Sequence, residues 1–234
     1  MKKRFIYFVA FSFIALNCHS QDKGFVSFSA GPSFPVGDFS STDKENERAG
    51  AANTGTIIDF TFGVKLSSRF GLTALYRNRK NPLDNQALND YVNELDPSIN
   101  WVVTSENWKL NGFMFGIYSS NPMGAGSSSF DLRLLFGVLN ATSSELTMTG
   151  SSGGVSAAAT MRSSEASAFS YLVGVGFKFN PGKAICILTY LDFLGATPKF
   201  EDVIFNSSSG VNRKMDFEQS FDSVNLGIGI GFRF

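Results

Sequence analysis

Val224-Asn-Leu-Gly-Ile-Gly-Ile-Gly-Phe-Arg-Phe234 ends the chain and decides how the rest is read. A period of two puts Val224, Leu226, Ile228, Ile230, Phe232 and Phe234 on one face. Asn225, three glycines and Arg233 take the other. A strand apolar on one side and small, polar or charged on the other suits a wall between lipid and a polar lumen.

Seven earlier segments repeat the pattern, at about Gly24 to Phe34, Gly55 to Leu66, Phe70 to Arg79, Lys109 to Ser119, Ser129 to Ala141, Phe169 to Phe179 and Ala184 to Ala196. Their connections alternate, long after the first, third, fifth and seventh segments and short after the second, fourth and sixth. Short connections include Ser67-Ser68-Arg69, Asn121-Pro-Met-Gly124 and Asn180-Pro-Gly-Lys183. The expected fold is all-β: an eight-stranded antiparallel up-and-down transmembrane barrel. It satisfies every backbone group in hydrocarbon and leaves no open edge. Short turns face the periplasm and long loops the exterior in such barrels, so both mature termini are expected in the periplasm.

The sign of the pattern separates this barrel from a soluble one with an apolar pocket. Asp59, Lys65, Arg77, Arg79, Asp131, Arg133, Lys178, Asp192 and Arg233 all fall on the inward face. The opposite face carries no charge, and Phe70, Tyr76, Phe130, Tyr171, Phe179, Phe193 and Phe234 lie near its strand ends, where interfacial aromatic girdles belong. Two readings of the inward charges remain open. Mixed signs in so narrow a barrel suit a salt-bridged plug. A narrow anion-preferring path lined by Arg77, Arg79, Arg133, Lys178 and Arg233 is the alternative.

Lys2, Lys3 and Arg4 precede an apolar run from Phe5 to Leu16, too short for a membrane helix and characteristic of a Sec signal peptide. Cleavage after Ser20 would divide the chain into a leader, residues 1–20, and a barrel domain, residues 21–234. Acylation of Cys18 is the rival reading, opposed by Asn17 where a small residue belongs. Loss of the leader removes Cys18 and His19, leaving Cys186 as the sole thiol and no histidine. That excludes an internal disulfide and histidine-based catalysis, and no metal or other cofactor is expected. An outer-membrane enzyme without histidine chemistry is the less favoured alternative. The precursor balances 20 basic against 20 acidic residues, so there is no basic footprint for nucleic acid.

The leader, the segment Gly31-Pro-Ser-Phe-Pro-Val-Gly-Asp-Phe39 and the ending Gly229-Ile-Gly-Phe232-Arg-Phe234 resemble those of the OmpA/OmpX type of small outer-membrane barrel. The resemblance implies residence in a Gram-negative outer membrane, contact with its lipids and insertion by the barrel-assembly machinery. It makes Gly229, Phe232 and Phe234 the assembly signal, with Gly227 departing from the usual polar first position. It implies no activity.

What remains for function is the set of four outer loops, expected to serve a structural role or to bind an unidentified extracellular ligand from a monomeric barrel. Leu83 to Leu95 reads as a weakly amphipathic surface helix. Tyr91, Trp101 and Trp108 either anchor a partner or pack onto the rim. The Ser/Gly/Ala-rich stretch from residue 142 to Ser167 is expected to be a mobile loop.

Overall fold

A computed structural model of the chain describes residues 23–124, 127–152, 155–182 and 184–234; the expected signal peptide lies outside the described residues. Among the described residues there are thirteen strands and one α-helix: β1 (Gly24–Pro35), β2 (Gly55–Lys65), β3 (Phe70–Asn81), α1 (Asn85–Leu95), β4 (Asn100–Ser105), β5 (Trp108–Met123), β6 (Ser128–Thr142), β7 (Leu146–Ser152), β8 (Val155–Met161), β9 (Glu165–Phe179), β10 (Ile185–Ala196), β11 (Lys199–Ser207), β12 (Asn212–Glu218) and β13 (Ser223–Arg233). Among the described residues no helix is long and apolar enough to cross a membrane.

Eight strands close into an antiparallel barrel in chain order, β1-β2-β3-β5-β6-β9-β10-β13, and β13 returns to β1. Closure pairs Val26 with Phe232, Phe28 with Ile230 and Ala30 with Ile228, which uses the apolar face of the final segment as predicted. Because side chains alternate, one register lines up an apolar row across six strands: Phe28, Phe60, Tyr76, Phe113, Val138 and Phe169. All six are exposed on the outside of the wall. Charged side chains are absent from this row, and it forms part of a band that continues through Phe115, Ile117, Leu134, Phe136, Val173 and Ile230.

Five wall strands do not stop at the rim opposite the termini. After breaks of two to four residues, β5, β6, β9, β10 and β13 continue as β4, β7, β8, β11 and β12, a second sheet in the order β12-β11-β8-β7-β4. Thr142 pairs with Glu165 below one break, and Leu146 pairs with Met161 above it. The barrel thus grows a half-wall beyond that rim, while β1, β2 and β3 end there. A 3-10 turn at Gly37–Phe39 and the loop up to residue 54 take the place of the missing wall.

Two expectations are corrected here. The stretch beyond residue 142, expected to be a mobile loop, carries the β7–β8 hairpin, because inter-strand pairing carries on from β6–β9 and needs no large side chains. Asn121, Pro122 and Met123, expected to form a connection, extend β5 and pair with Phe130, Ser129 and Ser128.

Candidate functional site

Side chains meet inside the lumen in three connected zones. Its centre is built on Arg77, delivered by β3 and fully buried. The Arg77 guanidinium donates to both oxygens of Asp59 across the β2–β3 pair, Nε to Oδ1 at 2.8 Å and Nη2 to Oδ2 at 2.6 Å. It also donates across the lumen to Asp192 on β10, at 2.9 and 3.1 Å. Arg133 from β6 adds a 2.5 Å bond to Asp192 Oδ2, and Asn225 from β13 donates to Oδ1 at 3.0 Å. One carboxylate therefore joins side chains from β3, β6 and β13. Planar, charge-assisted forks of this kind hold geometry better than lysine could.

Inward glycines make this possible. A Cβ on Gly174 would stand 2.8 Å from Asp192 Cβ and 3.1 Å from Arg133 Nε, and one on Gly176 would stand 2.7 Å from the Tyr190 ring. The space beside these glycines is already taken by the large side chains opposite.

Toward the end bearing the termini, Lys178 pairs with Asp131 at 2.8 Å, and its Nζ lies 4.2 Å from the centre of the Phe25 ring. Ser120 and Ser129 donate to the same Asp131 oxygen at 2.6 and 3.0 Å. Phe25, Tyr118, Cys186, Leu188 and Tyr190 pack around this pair. Arg133 stacks over the Tyr190 ring at 4.0 Å and so links this zone to the centre. The gap bounded by Phe25, Thr61, Thr73, Tyr118, Arg133 and Tyr190 is ≈ 10 Å³, room for about one water.

At the mouth beside the half-wall, Phe39, Trp108, Phe200 and Phe221 meet in an aromatic lid. Phe39 stacks on Phe221 with centres 4.8 Å apart, and Trp108 meets Phe221 edge-on at 5.4 Å. Arg79 lies beneath. Its guanidinium donates to the Phe221 carbonyl at 3.0 Å from each Nη and to Ser223 Oγ, and is 5.2 and 5.5 Å from the Phe39 and Phe221 ring centres. It forms no ion pair among the described residues, so carbonyl, hydroxyl and ring faces serve this buried cation.

The predicted inward set therefore divides. Asp59, Arg77, Arg79, Asp131, Arg133, Lys178 and Asp192 are buried in the lumen. Lys65 is exposed at the end bearing the termini, and Arg233 reaches over that same end to the Gly182 carbonyl at 2.6 Å. Both keep the inward parity but sit too near strand ends to enter the network. The expectation of a polar lumen also needs correction, since Leu75, Met114, Leu135, Leu139, Leu172 and Leu194 are fully buried and continuous with the lid. Leu75 and Leu135 carried that signal in the sequence by parity. Phe221 lay in a polar stretch where periodicity gives no signal.

Among the candidate aromatic anchors, Trp108 is a lid residue, and its indole donates to the Gly50 carbonyl at 3.0 Å. Tyr91 is exposed on α1, and Trp101 is half-buried on β4. Of the residues expected to signal assembly, Phe232 and Phe234 are exposed, and Phe234 stacks on Phe62 with ring centres 6.0 Å apart. Gly229 packs against the β1 backbone: a Cβ there would be 2.3 Å from the Phe28 carbonyl oxygen.

A closed eight-stranded wall, apolar outside and charged within, sets the class of fold. It is that of the small outer-membrane barrels. No known protein-family profile matches the chain, and no curated protein does. Solved structures similar to it include the attachment invasion locus protein Ail of Yersinia pestis, at 14% identity and a TM-score of 0.43 over 91% of this chain and 99% of that one. The outer membrane protein OprG from Pseudomonas aeruginosa shares 12% identity at a TM-score of 0.49, over 93% and 99% of the two chains. Neisserial surface protein A shares 12% at 0.43, over 90% and 97%.

Proposed function

We propose that this barrel resides in an outer membrane with its lumen closed, and that its work is done by the half-wall and loops on the extracellular side. The observation that supports this most is the Arg77 network. Asp59, Arg77, Asp192 and Arg133 span the lumen between opposite walls, with an aromatic lid on one side and the Lys178–Asp131 pair on the other. Ion passage would require breaking charge pairs held at 2.5 to 2.9 Å. Freed charges in so narrow a space would lack the water that makes such breaking cheap in solution.

The orientation proposed puts the termini and the short turns in the periplasm and the half-wall outside. This is the usual arrangement of turns and loops in such barrels. Lipid covers the exposed apolar band, and the barrel-assembly machinery reads Gly229, Phe232 and Phe234. The role is structural or one of interaction with an extracellular partner, without catalysis.

Planar-bilayer recording from refolded, demonstrably inserted protein is the test. The closed-lumen reading predicts a quiet membrane. Stable anion-preferring steps that shrink on neutralising Arg77 or Arg133 would overturn it in favour of a narrow pore.

A further inference from the structure

The half-wall has two edges, and the fold treats them differently. At the β4 edge, α1 lays two asparagines along the strand. Asn93 donates to the Trp101 carbonyl at 2.9 Å and accepts from its amide at 2.8 Å, while Asn89 accepts from the Val103 amide at 2.5 Å. Side chains thus do the work of a neighbouring strand, and pairing there is blocked. At the opposite edge, β12 pairs with β11 on one side and with no strand on the other among the described residues. Its lower end is approached by the β1–β2 loop: Glu47 and Arg48 line a cleft with Asp216, Phe217 and Glu218, and Arg48 makes a weak 4.0 Å contact with Glu218.

The sequence of that open edge, Asn212-Arg-Lys-Met-Asp-Phe-Glu218, is complementary to itself when reversed. Pairing two copies antiparallel about Met215 puts Lys214 opposite the partner's Asp216, and Asp216 opposite the partner's Lys214. These residues are exposed on one face of the strand, where Asn212 meets the partner's Glu218. On the other face Arg213 meets the partner's Phe217, and Met215 meets the partner's Met215. No like charges oppose one another in this register. A parallel, in-register pairing would set lysine near lysine and aspartate near aspartate.

Direction then decides where the partner stands. β12 runs from its hairpin tip toward the rim, where β13 begins, so it points at its own membrane. Two barrels side by side in one membrane bring these strands together in parallel. They meet antiparallel only when their membranes face each other.

We propose that β12 is a homotypic adhesive edge, joining this chain to a second copy in an opposing membrane by antiparallel strand addition. The inference rests on the outward placement of the half-wall proposed above. One seven-residue pairing is a small interface, and many copies on each surface multiply it.

The test uses the folded barrel, one per phosphatidylcholine nanodisc, which leaves both faces accessible. Sedimentation should find pairs of discs. Lys214→Asp alone and Asp216→Lys alone should each reduce pairing by about tenfold or more, and an equal mixture of the two should restore it. Met215→Cys should form a disulfide between discs on mild oxidation, since directly opposed residues lie within disulfide range. Asn212→Cys should not, because its counterpart would be about 20 Å away. The native Cys186 is buried in the lumen and does not compete. Wild-type discs that stay single, charge variants that pair as well as wild type, or Asn212→Cys cross-linking as readily as Met215→Cys would each overturn the proposal while leaving the barrel intact. A chain that fails to enter discs in heat-modifiable form would remove the membrane reading and this inference with it.

Discussion

The wall below the rim and the half-wall above it lie on the same runs of chain, broken at the rim, yet their faces carry opposite chemistry. Below, Phe113, Phe115 and Ile117 of β5 point out, exposed, while Arg77, Asp59 and Asp192 point in. Above, Phe200 and Val203 of β11 are buried on the inside, and Glu201, Lys214, Asp216 and Glu218 are exposed on the outside. Asp202, in the left-handed region at φ 55°, marks a register slip that lets Phe200 and Val203 face the same way. The inversion shows where the solvent changes. Lipid rewards an apolar outside and tolerates charge only in a sealed interior; water rewards the reverse. The breaks between lower and upper strands, such as 143–145 and 162–164, mark the boundary.

The largest effect expected from disturbing this contrast is in the lower interior. Arg77→Ala leaves two buried carboxylates without their main partner and should cost about 3–5 kcal/mol in urea unfolding from lipid. Replacing Arg77 and Asp59 together by Met and Asn should cost clearly less than the two single changes added, because the Asp59 charge is then removed with its partner and Asp192 keeps Arg133 and Asn225. A charge on the lower outside comes next: Phe115→Arg should cost about 2–4 kcal/mol by the same measurement. Above the rim, Asn93→Ala exposes the β4 edge. It should cost about 1 kcal/mol and speed hydrogen exchange at the Trp101 amide. The smallest effect, within about 0.5 kcal/mol, is expected for Ser156→Lys on the half-wall, where a new charge meets water. Equal costs for Phe115→Arg and Ser156→Lys would erase the distinction between the two regions.

The lower wall was legible in the sequence because lipid on one side and charge on the other enforce a strict period of two, visible in Phe28, Phe60 and Phe113 without any knowledge of their partners. The half-wall was not. Thr147, Thr149, Ala157 and Ala159 are small residues whose strands are carried by pairing with the wall below, and pairing leaves little mark in composition. Parity placed Arg77 and Asp192 in one lumen, but it could not show that residues 115 positions apart share a hydrogen bond. Nor could it separate Lys65 and Arg233 from the network, since parity says which way a side chain points and not how far along the barrel it sits. The lid was hidden for a related reason: Phe39, Trp108, Phe200 and Phe221 come from four connections or strand ends and meet only once the barrel closes.

The inversion of faces is tested most directly by single cysteines and a water-soluble maleimide, applied to the protein folded in bilayers. Cysteines replacing Phe60, Ile117 or Val138 should stay unlabelled until the protein is denatured, while those replacing Thr149, Ser156 or Asp216 should label at once. Rapid labelling of the lower positions in the folded state would contradict the account, because it would put water where the apolar band requires lipid.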